Sequence, residues 1–112
     1  PLVESKLDAL LEAYFEGEEV INQGLPSVQN IAQRLNLSSD YLSSMLKSLT
    51  GQTTRQHIQS KLIEKAKLKL STTQLSVSEI AYDLGFEHPQ SFSKLFKSKT
   101  QQTPLEFRAA FN

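Results

Sequence analysis

The chain has 112 residues, a formal net charge of zero and no cysteine. The lack of cysteine excludes disulfides, thiolate metal sites and cysteine nucleophiles, and no stretch approaches the roughly 18 consecutive apolar residues of a membrane span, so we expect no membrane contact from this domain. A single domain of this size buries roughly two-thirds of its unfolded surface on folding, which makes a compact core feasible.

The charges are unevenly distributed along the chain. Residues 1–20 contain six acids and one lysine, a net charge of −5, so residues 21–112 carry +5. Basic residues concentrate in two stretches of the sequence. Residues 47–69 contain six basic residues and one acid, and residues 88–99 contain three lysines and no acid. A neutral chain can therefore still present a basic surface to an anionic partner.

The first 26 residues are predicted to form one helix and one loop. Residues 1–15 carry apolar side chains at helical spacing, which predicts an amphipathic helix whose acids face water. Residues 16–26 contain two glycines and are predicted to form a loop, from which Val20 and Ile21 enter the core.

A first helix-turn-helix pattern follows. Ser27 is predicted to cap a helix over 28–35, and Ser38 is predicted to cap a second over 39–49. Asn36 suits the turn between them, because asparagine tolerates left-handed backbone better than most residues. The predicted core residues of the second helix are Tyr41, Leu42, Met45 and Leu46. Its predicted outward face consists of Ser39, Asp40, Ser43, Ser44 and Lys47. Asp40 can accept a hydrogen bond from a cytosine amino group, although an acid in a first turn also complements the helix dipole.

A long linker helix is predicted next. Thr53 and Gln56 form a capping-box pattern, which predicts a helix over 54–70. An apolar stripe runs along one side of it: Ile58, Leu62 and Ala66. The helix is expected to be a rigid rod of about 25 Å, and His57 near its start is expected to have a structural role.

The second helix-turn-helix pattern is the clearer one. Ser76 and Glu79 form a capping box, Gly85 suits a tight turn, and Pro89 favours a helix start that predicts a second helix over 89–98. Its predicted core residues are Phe92, Leu95 and Phe96. The side chains predicted to reach base edges and phosphates are His88, Pro89, Gln90, Ser91, Ser93, Lys94 and Lys97. A T-P-x-E sequence at 103–106 then predicts a short final helix.

The two patterns are copies of one unit. A shift of 49 residues pairs Ile31, Ala32 and Leu35 with Ile80, Ala81 and Leu84, and a shift of 50 pairs residues 42–53 with 92–103. We therefore predict an all-α fold of about seven helices, with two helix-turn-helix subdomains joined by a long linker helix. The predicted division is 1–53 for the N-terminal helix and first subdomain, 54–70 for the linker helix and 71–112 for the second subdomain.

One set of residues in the second pattern is Ile80, Ala81, Gly85, Phe86, Phe92, Phe96, Lys97, Thr103, Pro104, Phe107 and Arg108. Together they resemble the C-terminal DNA-binding domain of the AraC/XylS family of bacterial transcription regulators. The resemblance spans about residues 27–107 and implies sequence-specific binding of double-stranded DNA in the cytoplasm, with helices 39–49 and 89–98 in successive major grooves. It also implies RNA polymerase as a partner and a sensory or dimerisation domain before Pro1.

The sequence departs from the family pattern at four places. Gln101 stands where the family usually has glycine, and Ser91 stands where an aromatic residue is common. Ser44 and Lys94 occupy positions that are frequently arginine. The loss of a charged side chain at Ser44 predicts weaker base contact by the first recognition helix.

Two other classes of function compete with DNA binding. An enzyme is disfavoured, because the only histidines are His57 and His88 and no Ser-His-Asp spacing or glycine-rich phosphate loop accompanies them. We expect no cofactor and no bound metal, with His88 as a phosphate or base contact. The second alternative is an all-α protein-interaction module that has lost DNA binding, which zero net charge and the serine-rich first recognition helix favour.

Overall fold

The computed structural model describes residues 2–111. This part of the chain contains eight helices joined by turns and loops, and no strand. The helices are α1 (Leu2–Glu16), α2 (Glu19–Gln23), α3 (Val28–Arg34), α4 (Ser39–Thr50), α5 (Thr54–Thr72), α6 (Val77–Asp83), α7 (Pro89–Thr100) and α8 (Pro104–Ala109). The all-α prediction is confirmed, with one helix more than expected, while Pro1 of the predicted first helix lies outside the described residues. Within residues 2–111 no helix is both long and apolar enough to cross a membrane.

Side-chain caps place most of the helix starts where the sequence predicts them. Ser27 and Ser38 each accept a hydrogen bond from the backbone N–H three residues later, which satisfies a donor that the first helical turn leaves unpaired. Complete capping boxes begin α5, α6 and α8, from Thr53, Ser76 and Thr103. These boundaries therefore coincide with local sequence signals.

The segment between α1 and α3 differs from the prediction. It contains the short helix α2, whose Val20 is fully buried, whereas Ile21 is 57% exposed and does not enter the core. Glu18 at the N-cap makes no side-chain capping bond. The packing of buried Val20 and the ion pair of Glu19 with Arg34 of α3 both hold this turn of helix against the rest of the molecule.

One hydrophobic core runs through the whole molecule, with α5 at its centre. The buried apolar residues of α5 are Ile58, Leu62, Ile63, Ala66 and Leu70. Around them, α1 and α2 contribute Leu7, Leu11, Tyr14, Phe15 and Val20. The second subdomain adds a chain of aromatic rings, Phe86, Phe92, Phe96 and Phe107, with successive centroids 5.5 to 5.9 Å apart. Phe111, which is 60% exposed, extends the chain outside the core, with its centroid 5.0 Å from that of Phe107. The predicted stripe on α5 is confirmed.

The C-terminal end of α5 extends two residues beyond the prediction. Ser71 and Thr72, which we expected to break the helix, donate their hydroxyl hydrogens to the carbonyl oxygens of Lys67 and Leu68, four residues earlier. Arg108 of α8 then closes the end, because its Nε donates to the carbonyl oxygen of Leu70 at 3.0 Å. A guanidinium at this end of a helix also complements the helix dipole.

The turn of the second helix-turn-helix packs closely against the N-terminal part of the chain. Gly85 has a φ of 95°, and a Cβ there would lie 2.9 Å from Cγ2 of Val20 and 3.1 Å from backbone atoms of Gly24 and Leu25. Only glycine fits this close approach without displacing backbone. The contact ties α6 to α2 across the molecule.

Candidate nucleic-acid interface

Helices α4 and α7 occupy equivalent places in two copies of the same unit. Each has 12 residues and follows a seven-residue helix through a turn with one residue of positive φ, Asn36 at 59° and Gly85 at 95°. Both turns close with the same backbone hydrogen bond, from Leu37 to Ala32 at 2.9 Å and from Phe86 to Ala81 at 3.0 Å. The predicted pair of helix-turn-helix units is present.

Each of the two helices buries one side and exposes the other. Leu42 and Leu46 of α4 are fully buried, as are Phe92 and Phe96 of α7. The exposed positions on the other side match under the shift of 50 residues. We call them the α4 face, Asp40, Tyr41, Ser44, Lys47 and Ser48, and the α7 face, Gln90, Ser91, Lys94, Lys97 and Ser98. These are the side chains that a ligand approaching either helix meets first.

The structure separates the predicted interface residues into two groups. The exposed group is Asp40, Ser44, Lys47, His88, Gln90, Ser91, Lys94 and Lys97, and the half-buried group is Ser39, Ser43, Pro89 and Ser93. Ser43 differs most from the prediction, because its Oγ lies 3.0 Å from Oγ1 of the fully buried Thr54 and shares a hydrogen bond with it. Ser43 thus joins α4 to the start of α5 instead of pointing outward. The equivalent of Thr54 in the second unit is Pro104, which offers no hydroxyl.

The sequence predicts Tyr41 to lie in the core, and that prediction is wrong. Its side chain is 58% exposed and stands on the α4 face. The spacing of Tyr41, Leu42, Met45 and Leu46 admits a wide apolar stripe, and periodicity alone does not show which edge of that stripe is solvated. The internal repeat contains the signal that periodicity lacks, since the equivalent of Tyr41 is Ser91, which the sequence predicts to face outward.

The electrostatic character of the two faces differs. The α7 face has Lys94 and Lys97 and no acid, whereas the α4 face balances Lys47 against Asp40. His88, the N-cap residue of α7, makes no side-chain capping bond, and its exposed imidazole adjoins the α7 face. The α7 face therefore carries the more positive charge of the two, which is the sign that attracts phosphate groups.

Two of the lysines counted in the basic stretch 47–69 are not available to a ligand. Lys61 and Lys65 of α5 are more than nine-tenths buried and pair with acids of α1. Nζ of Lys61 lies 2.9 Å from Asp8 and 3.0 Å from Glu12, and Nζ of Lys65 bonds Glu12 as well as Glu16. The prediction that the acids of α1 face water is therefore incomplete, because Asp8 and Glu16 are exposed but also pair with lysines of α5, and Glu12 is half-buried between them.

The pairing between α1 and α5 shifts the pKa values of its members. Hydrogen bonds from Lys65 and Lys61 lower the pKa of Glu12 from its usual 4.5 to about 2. Burial of Lys61 disfavours its charged form, but hydrogen bonds with Asp8, Glu12 and Glu64 outweigh that effect and raise its pKa. These charges hold α1 against α5 and make no contribution to an anion-binding surface.

The helix α5 fixes the separation of the two units. Its first turn is tied to α4 by His57, whose Nε2 lies 2.9 Å from Oγ1 of Thr50, so the structural role predicted for this histidine is confirmed. Its last turn is tied to α8 by Arg108, which bonds the carbonyl oxygens of Leu70 and Thr73. With both ends anchored, α5 acts as a spacer of about 28 Å, from 19 residues at 1.5 Å each.

Comparisons with known proteins support this description. A family model described as a helix-turn-helix domain matches residues 31–110. The regulatory protein SoxS of Salmonella typhimurium is 32% identical over 91 residues, which cover 81% of this chain and 84% of that protein.

Two solved structures extend the comparison to three dimensions. The C-terminal domain of the two-component response regulator yesN from Fusobacterium nucleatum is 31% identical with a TM-score of 0.81, and the match covers 96% of this chain and 99% of that one. The DNA-binding domain of AdpA, a global transcriptional factor solved in complex with a target DNA, is 25% identical with a TM-score of 0.73, covering 92% and 90%. Shared sequence and shared architecture agree in both units and in the helix between them. The chain therefore belongs to the AraC/XylS family of transcription regulators, as a DNA-binding domain of that family.

Proposed function

We propose that α4 and α7 enter successive major grooves on one side of a DNA duplex, so that a single chain reads an asymmetric site. The observation that carries the proposal is the pair of equivalent faces at either end of α5. Successive major grooves on one side of B-DNA are about 34 Å apart, a distance that two units on a spacer of about 28 Å span. The proposed contacts are the exposed members of the α4 and α7 faces together with His88.

Within this arrangement α7 is proposed as the main reader. Gln90 has the amide that pairs with adenine through two hydrogen bonds, and Lys94 is long enough to reach guanine acceptors or a phosphate. On the α4 face the equivalent positions carry Asp40 and Ser44, which are an acid and a short hydroxyl. We propose that Ser43 acts through Thr54 by fixing the angle of α4, and that Ser39, Pro89 and Ser93 shape the helix starts and flanks.

The wider biology is also proposed. A cytoplasmic regulator that binds DNA and contacts RNA polymerase agrees with the family to which the chain belongs, and function through binding rather than catalysis agrees with its relatives' description as regulators. A sensory or dimerisation domain before Pro1 is proposed by analogy with the yesN protein, whose matching part is called its C-terminal domain. The proposed functional division is 1–53, 54–70 and 71–112.

Selection from random double-stranded sequences at low salt tests the proposal. We expect one enriched site without two-fold symmetry, and we expect gel shifts on it to weaken when Lys97 is replaced by alanine. Lys6→Ala is the matched control, because Lys6 is an exposed lysine of α1 far along the chain from either face. If no sequence is enriched, the alternative of an interaction module that has lost DNA binding replaces the proposal.

A further inference from the structure

Tyr41 is the one aromatic side chain among the ten positions of the α4 and α7 faces. It stands in the first turn of α4 with 58% of its surface exposed. Within residues 2–111 its hydroxyl makes no hydrogen bond and its ring lies against no other aromatic ring, whereas the buried Tyr14 donates its hydroxyl hydrogen to the carbonyl oxygen of Gly24 at 2.7 Å. The packing of the described chain therefore leaves the ring of Tyr41 free for a ligand.

The rest of the α4 face has little with which to discriminate bases. Lys47 and Asp40 oppose each other in charge, and Ser44 and Ser48 present only short hydroxyls. An aromatic ring on such a face can make apolar contact with a base. The apolar group that a base presents in the major groove is the 5-methyl group of thymine. We propose that the ring of Tyr41 packs on the methyl group of a thymine in the half-site that α4 contacts.

The inference rests on the proposed placement of α4 in a major groove and adds the base that it prefers. Under the repeat, Tyr41 corresponds to Ser91 and Ser44 corresponds to Lys94. The α4 face therefore has an aromatic ring where the α7 face has a serine, and a serine where the α7 face has a lysine. The first half-site is then read through apolar contact and the second through hydrogen bonds and charge. This difference makes the full site asymmetric and fixes the orientation of the chain on it.

The experiment replaces each thymine of the selected site in turn by deoxyuridine, which removes only the methyl group. Affinities are measured for the wild-type chain, Tyr41→Phe, Tyr41→Ala and Tyr82→Ala. Tyr82→Ala is the matched control, because Tyr82 is 52% exposed but lies on α6, outside both faces.

We expect one thymine at which loss of the methyl weakens the wild type about fourfold, the effect of one buried methyl group. Tyr41→Ala should bind the unmodified site about tenfold more weakly and be indifferent to deoxyuridine at that thymine. Tyr41→Phe and Tyr82→Ala should both keep the full penalty.

Several results overturn the inference. The first is that no thymine of the site shows a loss of affinity on replacement by deoxyuridine. The second is that Tyr41→Ala still shows that loss in full. The third is that Tyr41→Phe behaves like Tyr41→Ala, which would assign the contact to the hydroxyl group. Lys94→Ala on the same site separates this failure from that of the proposed function. If Lys94→Ala weakens binding while Tyr41→Ala does not, α4 and α7 remain in place and only the thymine contact is wrong. If neither weakens binding, the placement of both helices is wrong.

Discussion

Lys94 and Ser44 stand at equivalent positions of the two recognition helices and differ in charge. We expect Gln90→Ala and Lys94→Ala to cost about 1–3 kcal/mol of binding free energy each, the usual range for a good base contact, and Ser44→Ala to cost almost nothing. If Lys94 bonds a phosphate instead, its loss lowers the slope of affinity against salt by about one unit. Fluorescence anisotropy at several salt concentrations distinguishes these outcomes.

A gain-of-function variant complements this series. Ser44→Lys gives the α4 face the charge that the α7 face has, so we expect tighter binding with a salt slope steeper by about one unit. An equal or reversed ranking of Lys94→Ala and Ser44→Ala contradicts the assignment of α7 as the main reader.

Gly85 and Gly51 both have positive φ, but their surroundings differ. An added Cβ at Gly85 meets Val20 and the backbone of Gly24 and Leu25, whereas nothing lies within 4 Å of a Cβ at Gly51. Both alanine variants carry backbone strain, and we expect Gly85→Ala to lose about 1–3 kcal/mol more free energy of unfolding because of overpacking. Urea denaturation of the two variants measures the difference, and equal losses would show that α2 yields to the extra atom.

At the scale of elements, the pairing of α1 with α5 makes stability depend on pH. The pKa of Glu12 is about 2 in the folded chain, below its usual value of 4.5, so Glu12 stabilises the fold above pH 4.5 and loses this contribution as the pH falls towards 2. We expect Glu12→Gln to be less stable than the wild type at pH 7, with the difference shrinking as the pH falls.

Denaturation midpoints in urea between pH 7 and pH 2 test this expectation. Glu18→Gln is the control, because it removes an exposed carboxylate from the same acidic segment. A constant difference between Glu12→Gln and the wild type across the whole range would contradict a role for the ionised carboxylate.

The elements also show where sequence reasoning succeeds and fails. Capped helices were predicted to within two residues, because serine and threonine caps and left-handed turns at Asn36 and Gly51 act locally. The sequence does not predict α2, because the contacts that hold it are made at a distance along the chain, by Val20 with Gly85 and by Glu19 with Arg34. The availability of Lys61 and Lys65 was misjudged for the same reason, since a count of charges along the chain does not reveal the partners that folding brings together.

At the scale of the whole molecule, the distance between the two faces limits the DNA that the chain can bind. We expect insertion of about half a helical turn between the two half-sites to abolish joint protection of both grooves, because it rotates one of them to the opposite side of the duplex. Insertion of the same length outside the site is the control. Footprinting with unchanged protection after the internal insertion would show that α5 does not hold the units at a fixed separation.

The contact between Gly85 and α2 also bears on how the chain folds. Two separate units could unfold independently, but here the turn of the second unit packs against Val20, Gly24 and Leu25, which precede the first unit. Loss of this contact disrupts the packing of both α2 and the turn after α6. We therefore expect the whole chain to unfold in a single cooperative transition. Slowly exchanging amide hydrogens in α6 and α7 should then lose their protection when α1 and α2 are deleted, although neither deleted helix belongs to a helix-turn-helix unit.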